Sequence, residues 1–359
     1  MPTSLRPSII AVALGLAGLA PSAHALSFVF RDASPNGPMT AQQLGGFRAA
    51  ANFWSSNLTD QVTIYMDIAF DALDPNVLGS TNPNYTNGTS YASIRDHLVS
   101  HATSAFDAVA IAHLQAGPAL TFMATQGDLT SRFDNDGSPN NTMLGLTTAN
   151  AKALGYATGT SASNPDASVT FATGYASDFV YTRAGGVPSN KIDFITVAEH
   201  EIGHVLGFDS GVDYIDYCAG PSNQCGLPDT ADRFENDWWY SPLDLFRYSA
   251  PGVLDLRVGG SPYFSVDGGA TAIETFSTGV IHGDLQQASH FGTGSVNLMR
   301  PYVGKGEFYD ATAHDLAAFD VIGWDVAAVP EPETYALLLA GLGVVGFATR
   351  RRAAARHPY

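Results

Sequence analysis

One stretch of the sequence constrains the fold more than any other, because it must form a buried helix that carries ionisable groups. Residues 191–208 read KIDFITVAEHEIGHVLGF, and their apolar side chains recur at the spacing of one helix face. The pattern predicts a long helix that packs against a core and ends at Gly207 in a left-handed conformation. His200 and His204 are four residues apart, so they share one face of this helix.

These two histidines indicate a metal site on the helix. Glu201 lies beside the first histidine, where its carboxylate can accept a proton from a zinc-activated water without binding the metal. We therefore expect Zn²⁺ as the cofactor, His200 and His204 as ligands, and Glu201 as the general base. Gly207 would let the chain turn sharply, so that a later residue can face the same ion. The alternative is a pair of structural histidines on a buried helix.

The third ligand of such a site is not fixed by the helix itself. A catalytic zinc normally has three protein ligands and a water, but the position six residues after His204 is Ser210. Asp209 is the local alternative, with a carboxylate that could bind the metal. Glu235, thirty-one residues after His204, is a second carboxylate candidate. The remaining candidates are more distant histidines: His282, His290 and His314.

Two separate segments resemble one family. HEIGHVLGF at residues 200–208, followed by ASHFGTGSVNLMRP at residues 288–301, is similar to the leishmanolysin branch of the metzincin zinc metalloproteases. The resemblance implies that an insertion, residues 209–289, separates the glycine from the third ligand. It makes His290 that ligand and Met299 the methionine of the turn beneath the metal. The branch is usually rich in cysteine, whereas this chain has 2 cysteines.

The expected fold class is α+β, because helical and strand patterns mix along the chain without a repeat. The resemblance implies a two-lobed catalytic domain over residues 26–329, with an N-lobe at about 26–208 and a C-lobe at about 209–329. It also implies a twisted, mostly parallel sheet with an antiparallel edge strand above the active-site helix. The candidate for that strand is DASVTFATGYASDFVY, residues 166–181, which would hold an extended peptide through backbone hydrogen bonds.

Other segments have plainer patterns. A capping threonine and apolar spacing predict a helix over residues 40–57, and alternation predicts a strand over residues 61–70. Residues 263–276 suggest a hairpin, and residues 310–326 a closing helix. DNDGS at residues 134–138 is rich in oxygen ligands, as in calcium loops, but it lacks a later bidentate glutamate, which favours a simple turn.

The cysteines predict one disulfide. Cys218 and Cys225 enclose a short loop of proline, glycine and asparagine, and an oxidising compartment favours their pairing. A zinc site made by this pair would need two more soft ligands nearby, and the sequence offers none. The bridge would stiffen a surface insertion.

The N-terminus has the pattern of an export signal. Residues 1–25 combine Arg6, the apolar run IIAVALGLAGLA and a final SAHA, which predicts a signal peptide cleaved after Ala25.

The C-terminus carries a second targeting pattern. Residues 330–359 contain a Pro-Glu-Pro triplet, an apolar stretch at residues 334–349 and a cluster of arginines, an order that resembles the PEP-CTERM sorting tail of Gram-negative bacteria. The apolar stretch is shorter than the roughly 20 residues of a comfortable membrane span. The resemblance implies transient inner-membrane anchoring, an exosortase-type processing enzyme, and delivery to the cell surface or the extracellular matrix, where the exopolysaccharide matrix is a further candidate partner.

The charge of the chain limits its partners. Removing both terminal segments takes away five arginines and two glutamates, which leaves 12 basic and 32 acidic residues and a net charge of about −20. Nucleic acid and anionic membranes are poor partners for such a chain.

The predicted function is a secreted zinc endopeptidase that hydrolyses proteins or peptides. The alternatives are a non-catalytic surface or matrix protein with a structural metal, and a zinc hydrolase that acts on exopolysaccharide substituents.

Overall fold

A computed structural model describes residues 26–221 and 223–327 of the chain. The predicted signal peptide at residues 1–25 and the predicted sorting tail at residues 330–359 lie outside the described residues. Within them, helices and several sheets are mixed, which is the predicted α+β class. The helices are α1 (Ala41–Asn57), α2 (Tyr91–Ser100), α3 (Ala105–His113), α4 (Pro139–Thr142), α5 (Thr148–Ala153), α6 (Phe194–Val205), α7 (Val212–Cys218) and α8 (Ala313–Val321). The strands are β1 (Ser27–Asp32), β2 (Thr63–Asp71), β3 (Gly79–Pro83), β4 (Thr89–Ser90), β5 (Phe122–Thr125), β6 (Ser131–Asp134), β7 (Met143–Leu144), β8 (Ala167–Ala172), β9 (Phe179–Val180), β10 (Ile192–Asp193), β11 (Arg247–Ala250), β12 (Val253–Leu256), β13 (Tyr263–Phe264) and β14 (Glu274–Thr275).

The first sheet has the strand order β1-β2-β8-β3. β1, β2 and β8 run parallel, and β3 pairs antiparallel with β8, with Gly79 opposite Phe171. Alternate residues of β2 are buried, so one face of the sheet lies on the core. The sheet is therefore mostly parallel with one antiparallel edge strand.

The edge strand is not the one that the sequence suggested. Residues 166–181 contain β8, which is hydrogen-bonded on both sides, to β2 and to β3. Its β-branched and aromatic residues, such as Val169 and Phe171, are buried and suit an interior strand. The antiparallel edge strand is β3, which reads GSTNP and ends in Pro83, whose nitrogen has no hydrogen to donate. Short polar strands that end in proline are typical of sheet edges.

Helix α6 forms as predicted and packs against α1 and β3. Its N-cap is Asp193, whose side chain accepts a hydrogen bond from the Thr196 amide. It ends before Gly207, which has a φ of 109°, a conformation that favours glycine. The indole of Trp54 donates to the Glu199 carbonyl at 2.9 Å, which ties α1 to α6.

The second sheet has the order β14-β13-β11-β12-β5-β6. β12 runs parallel to β5, and the other neighbours are antiparallel, including the predicted hairpin of β13 and β14. β5 precedes residue 208 and β12 follows it, so this sheet combines strands from before and after α6.

The segment at residues 209–289 contains α7 near its start. Cys218, at the end of this helix, is paired with Cys225 as a disulfide, with the two Cα atoms 5.2 Å apart. The predicted pairing therefore fits the structure. The closing helix α8 is shorter than expected and packs Phe319 against Trp54, with ring centroids 4.6 Å apart.

Candidate metal centre

Three histidine side chains converge beside the C-terminal half of α6. The Nε2 atom of His200 lies 3.1 Å from that of His204 and 3.1 Å from that of His290, and the remaining Nε2 pair is 3.3 Å apart. His200 and His204 are half-buried, and His290 is buried. The structure thus brings the two helix histidines together with the distant histidine that the family resemblance selected.

The second nitrogen of each ring shows which tautomer is present. Each Nδ1 lies within hydrogen-bonding distance of a backbone carbonyl, which can only accept, so each Nδ1 must carry the proton. These carbonyls belong to Leu298 for His200, at 2.9 Å, to Phe208 for His204, at 2.7 Å, and to Gln287 for His290, at 3.2 Å. The three Nε2 atoms are therefore unprotonated and turn their lone pairs toward one another.

Burial keeps the three rings neutral. It lowers the pKa of His200 to about 3 and the pKa of His204 to about 4, and it lowers the pKa of His290 well below the ordinary value. The mutual proximity of the rings adds to the effect for His200 and His290. Neutral imidazole is the form that binds metals.

The geometry of the three nitrogens fits a zinc ion. Zinc binds histidine nitrogen at about 2.0–2.1 Å in a tetrahedral arrangement, which places two such nitrogens about 3.3 Å apart. The observed separations of 3.1 to 3.3 Å match this value. Three converging lone pairs without a proton between them also repel one another, and a cation at their centre removes that repulsion.

The carboxylate of Glu201 is held by the edge strand β3. The hydroxyl of Thr81 donates to Glu201 Oε2 at 2.7 Å and also lies 2.9 Å from the Glu201 carbonyl. A Cβ atom at Gly79 would lie 2.7 Å from Oε1, so only glycine leaves room for the carboxylate there. Burial raises the pKa of Glu201 to about 7, and the bond from Thr81 opposes this rise.

Sequence reasoning missed both Gly79 and Thr81. They belong to the short stretch GSTNP, which has no recognisable spacing of chemical groups. Their role follows only from the packing of β3 against α6, so no local signal could have identified them.

Met299 packs against α6 at Gly203. It is fully buried, and a Cβ atom at Gly203 would lie 2.5 Å from its sulfur. The carboxylate of Asp315 accepts hydrogen bonds from the backbone amides of Leu298, at 2.9 Å, and Met299, at 3.0 Å. The residue predicted as the turn methionine therefore packs under the histidine-bearing turn of the helix.

The other predicted ligands lie in different surroundings. Asp209 accepts a hydrogen bond from the hydroxyl of Tyr85, and its second oxygen accepts one from the Ser210 amide at 2.8 Å. His314 lies 3.6 Å from a carboxylate oxygen of Glu274. Among residues 26–221 and 223–327, the cluster of possible metal ligands that contains the helix histidines does not include Asp209, Glu235, His282 or His314.

Glu235 belongs to a separate acidic cluster with Asp134 and Asp136. The guanidinium of Arg132 already lies in this cluster: it contacts Glu235, lies 2.9 Å from Asp134 and lies 3.6 Å from Asp136. The amide of Ser138 donates to Asp136 at 2.9 Å, as in a turn. Arg132 supplies the positive charge here, in agreement with a simple turn at residues 134–138.

No helix in the described ranges is long and apolar enough to span a bilayer. The short apolar stretch at residues 334–349, expected to anchor the chain transiently in the inner membrane, lies outside those ranges.

Comparison with known proteins identifies one feature of the chain. A family model described as the PEP-CTERM protein-sorting motif matches residues 328–352. No curated protein and no solved structure matches the chain. The chain thus carries a PEP-CTERM sorting motif, which implies export, membrane-anchored sorting in a Gram-negative bacterium and recognition by an exosortase-type enzyme.

Proposed function

We propose that this chain is an exported zinc-dependent endopeptidase. The observation that carries the proposal is the convergence of three unprotonated imidazole nitrogens on α6 and at His290, on the helix that also bears the buried carboxylate of Glu201. A structural metal site needs no general base beside its ligands, whereas metal-assisted hydrolysis does.

The proposed ligands are His200, His204 and His290. Zinc bound there would supply Lewis acidity, which lowers the pKa of water and polarises a carbonyl group. Glu201 would accept a proton from the attacking water as the new C–O bond forms. It would then give that proton to the amine nitrogen as the C–N bond breaks, which leaves a carboxylic acid and an amine; the acid then loses its remaining proton to solvent and becomes a carboxylate.

The first sheet supports a peptide as substrate. β3 is the last strand in its sheet, and in the described chain no strand pairs with its other side. An extended peptide could add to this free edge through backbone hydrogen bonds. Since Thr81 of β3 contacts Glu201, a peptide on this edge would pass close to the proposed base.

We further propose a leishmanolysin-like metzincin architecture for this domain. The supporting features are the antiparallel edge strand β3, the long insertion between Gly207 and His290, and Met299 packed beneath Gly203. The cysteine pair lies within that insertion. The two lobes, at about 26–208 and 209–329, stay a prediction.

The proposal is tested by comparing the full chain with its Glu201→Gln variant. We expect both proteins to retain stoichiometric zinc, and the variant to hydrolyse casein about 100-fold or more slowly, because general bases contribute factors of this size. Equal rates would overturn the role of Glu201. A wild-type protein that holds zinc but cleaves no casein would favour one of two alternatives: a structural metal in a matrix protein, or an exopolysaccharide substituent as substrate. A test for release of acetate from acetylated polysaccharide distinguishes them, because only the second alternative releases it.

A further inference from the structure

The third proposed ligand is distant from the other two in sequence and lies on a loop. His290 follows His204 by 86 residues and lies in a segment without regular secondary structure, between β14 and α8. Metal ligands on loops need support from the groups around them, because a loose ligand weakens the site. The groups that fix this segment are therefore functionally relevant.

Asp213, on α7, binds the residues just before His290. Its Oδ1 accepts the Ala288 amide at 2.6 Å, and its Oδ2 accepts the amide and the hydroxyl of Ser289 at 3.0 and 2.6 Å. Burial raises the pKa of the Asp213 carboxyl to about 7, while the hydrogen bonds that it accepts favour the ionised form.

One peptide group connects this carboxylate to the ligand. The amide of Ala288 and the carbonyl of Gln287 belong to the same peptide unit. That carbonyl accepts the hydrogen bond from Nδ1 of His290 at 3.2 Å. The chain of contacts thus runs from Asp213 through a single peptide group to the imidazole, and hydrogen bonds in such a chain polarise one another.

Arg247, on β11, holds the same segment from the other side. It is 1 % exposed, and its guanidinium donates to the carbonyls of Ala288 and Ser277 at 3.2 and 2.7 Å. The amide of Ser277 in turn donates to the His290 carbonyl at 3.0 Å. These hydrogen bonds join Arg247 to the segment that carries His290.

We propose that Asp213 and Arg247 are positioning residues for the third metal ligand, with Asp213 acting on His290 through the peptide group of Gln287 and Ala288. The inference rests on the proposed metal site and deepens it. Zinc-binding histidines commonly donate their second nitrogen to a carboxylate or to a backbone carbonyl. Here a carbonyl receives the bond, and a carboxylate polarises that carbonyl.

The chain contains a matched control on the same helix. Asp216, three residues after Asp213, is buried, and its carboxylate accepts the amides of Ile281 and His282 at 2.7 and 2.8 Å. It makes bonds of the same kind but to a segment farther from the ligand in sequence. A purely structural role would make the two aspartates equivalent.

The test uses the full chain with Asp213→Asn and Asp216→Asn. Zinc affinity is measured by competition with a chelator, and the visible spectrum is recorded with cobalt(II) in place of zinc. We expect Asp213→Asn to bind zinc about 10 to 100 times more weakly and to change the cobalt spectrum, as losses of such supporting contacts do. Asp216→Asn should keep the wild-type affinity and spectrum even if its melting temperature falls.

The outcomes separate this inference from the proposed function. Wild-type zinc affinity in Asp213→Asn, or an equal loss in both variants, would overturn the positioning role. If Asp213→Asn does not fold, Ser289→Ala removes one of the three bonds and should weaken zinc binding several-fold; unchanged binding would overturn the inference. A wild-type chain that binds zinc without hydrolysing peptides overturns only the proposed function, whereas a chain that binds no zinc overturns both.

Discussion

At the scale of single residues, the most specific arrangement is the niche that holds the Glu201 carboxylate. One oxygen accepts the Thr81 hydroxyl, and the other occupies the space that a side chain at Gly79 would fill. A base that must first take and later release a proton needs a fixed direction toward the reacting atoms. The edge strand therefore serves two proposed purposes, since it would bind the substrate and orient the base.

Replacing Thr81 with valine should separate these two purposes. Valine keeps the volume of threonine but removes the hydrogen bond to Glu201, and bonds to charged groups contribute about 1.5–3 kcal/mol. We expect kcat for peptide hydrolysis to fall about 10- to 100-fold, with KM changed by less than about 3-fold and zinc content unchanged. Steady-state kinetics with a fluorogenic peptide measures both constants.

Thr81→Ser is the control for this prediction. Serine keeps the hydroxyl, so it should restore most of the lost kcat. A Thr81→Val protein with normal kcat and a raised KM would show that the strand acts in substrate binding alone.

At the scale of elements, α6 is confined from two sides. The strand β3 lies against the face that carries Glu201, and the segment at Met299 lies under Gly203. Asp315, in the first turn of α8, fixes that segment through the Met299 amide. The helix, the edge strand and the closing helix are therefore coupled by close contacts.

Gly203→Ala should test this coupling. Alanine usually stabilises a helix relative to glycine, but here its Cβ atom would lie 2.5 Å from the sulfur of Met299. We expect the free energy of unfolding to fall by about 1–3 kcal/mol, as overpacking costs. Urea denaturation measures the change.

Gly45→Ala, in α1, is the matched control. A Cβ atom at Gly45 meets nothing within 4 Å, so alanine should increase stability by about 0.5–1 kcal/mol. If both variants gained stability, the close contact between Gly203 and Met299 would be refuted.

At the scale of the whole molecule, the segment that follows α1 is joined to the end of the described chain. Leu58 forms an isolated bridge with Val326, and the carboxylate of Asp60 accepts the amide of Asp325 at 3.0 Å. Burial raises the pKa of Asp60 to about 7, with smaller contributions from the neighbouring carboxylates Asp325 and Asp320. This closure therefore contains an acid that releases its proton less readily in the folded state.

The raised pKa predicts how stability depends on pH. The unfolded acid has a pKa of about 3.9, so between about pH 4 and pH 7 the folded state retains a proton that the unfolded state has lost. The contribution of Asp60 to the free energy of unfolding is therefore greatest below about pH 4, and it decreases as the pH rises to about 7.

Asp60→Asn should remove this dependence, because its amide oxygen can still accept the Asp325 bond. We expect the melting temperature at pH 8 to rise by about 2–4 °C for each kcal/mol gained, and to equal that of the wild type near pH 4. Asp74→Asn, which removes an exposed carboxylate, is the control. The difference between its melting temperature and that of the wild type should be the same at pH 4 and at pH 8. The prediction would be contradicted if the melting temperatures of Asp60→Asn and of the wild type differed by the same amount at every pH from 4 to 8.

The sequence predicted the features that depend on one continuous segment. Helix α6, with His200, Glu201 and His204, was predictable because its spacing alone places these groups on the helix. His290 was selected only through a family resemblance, since the residues by themselves left Asp209 and other ligands open. The sorting motif was recognisable for the same reason as the helix, because its parts follow one another in a fixed order.

The features that depend on packing between distant segments were not predictable. Residues 166–181 have a stronger strand propensity than GSTNP, but propensity does not tell which strand ends a sheet. Thr81, Asp213 and Arg247 act through contacts with residues 30 to 120 positions away, and no local pattern marks such partners.

The central claim is that His290 completes a zinc site with His200 and His204, and zinc content tests it most directly. We would measure zinc in the full chain beside its His290→Ala and Asp209→Asn variants by inductively coupled plasma mass spectrometry. The account predicts stoichiometric zinc in the wild type and in Asp209→Asn, and its loss in His290→Ala alone. Stoichiometric zinc in His290→Ala, or a loss confined to Asp209→Asn, would contradict it.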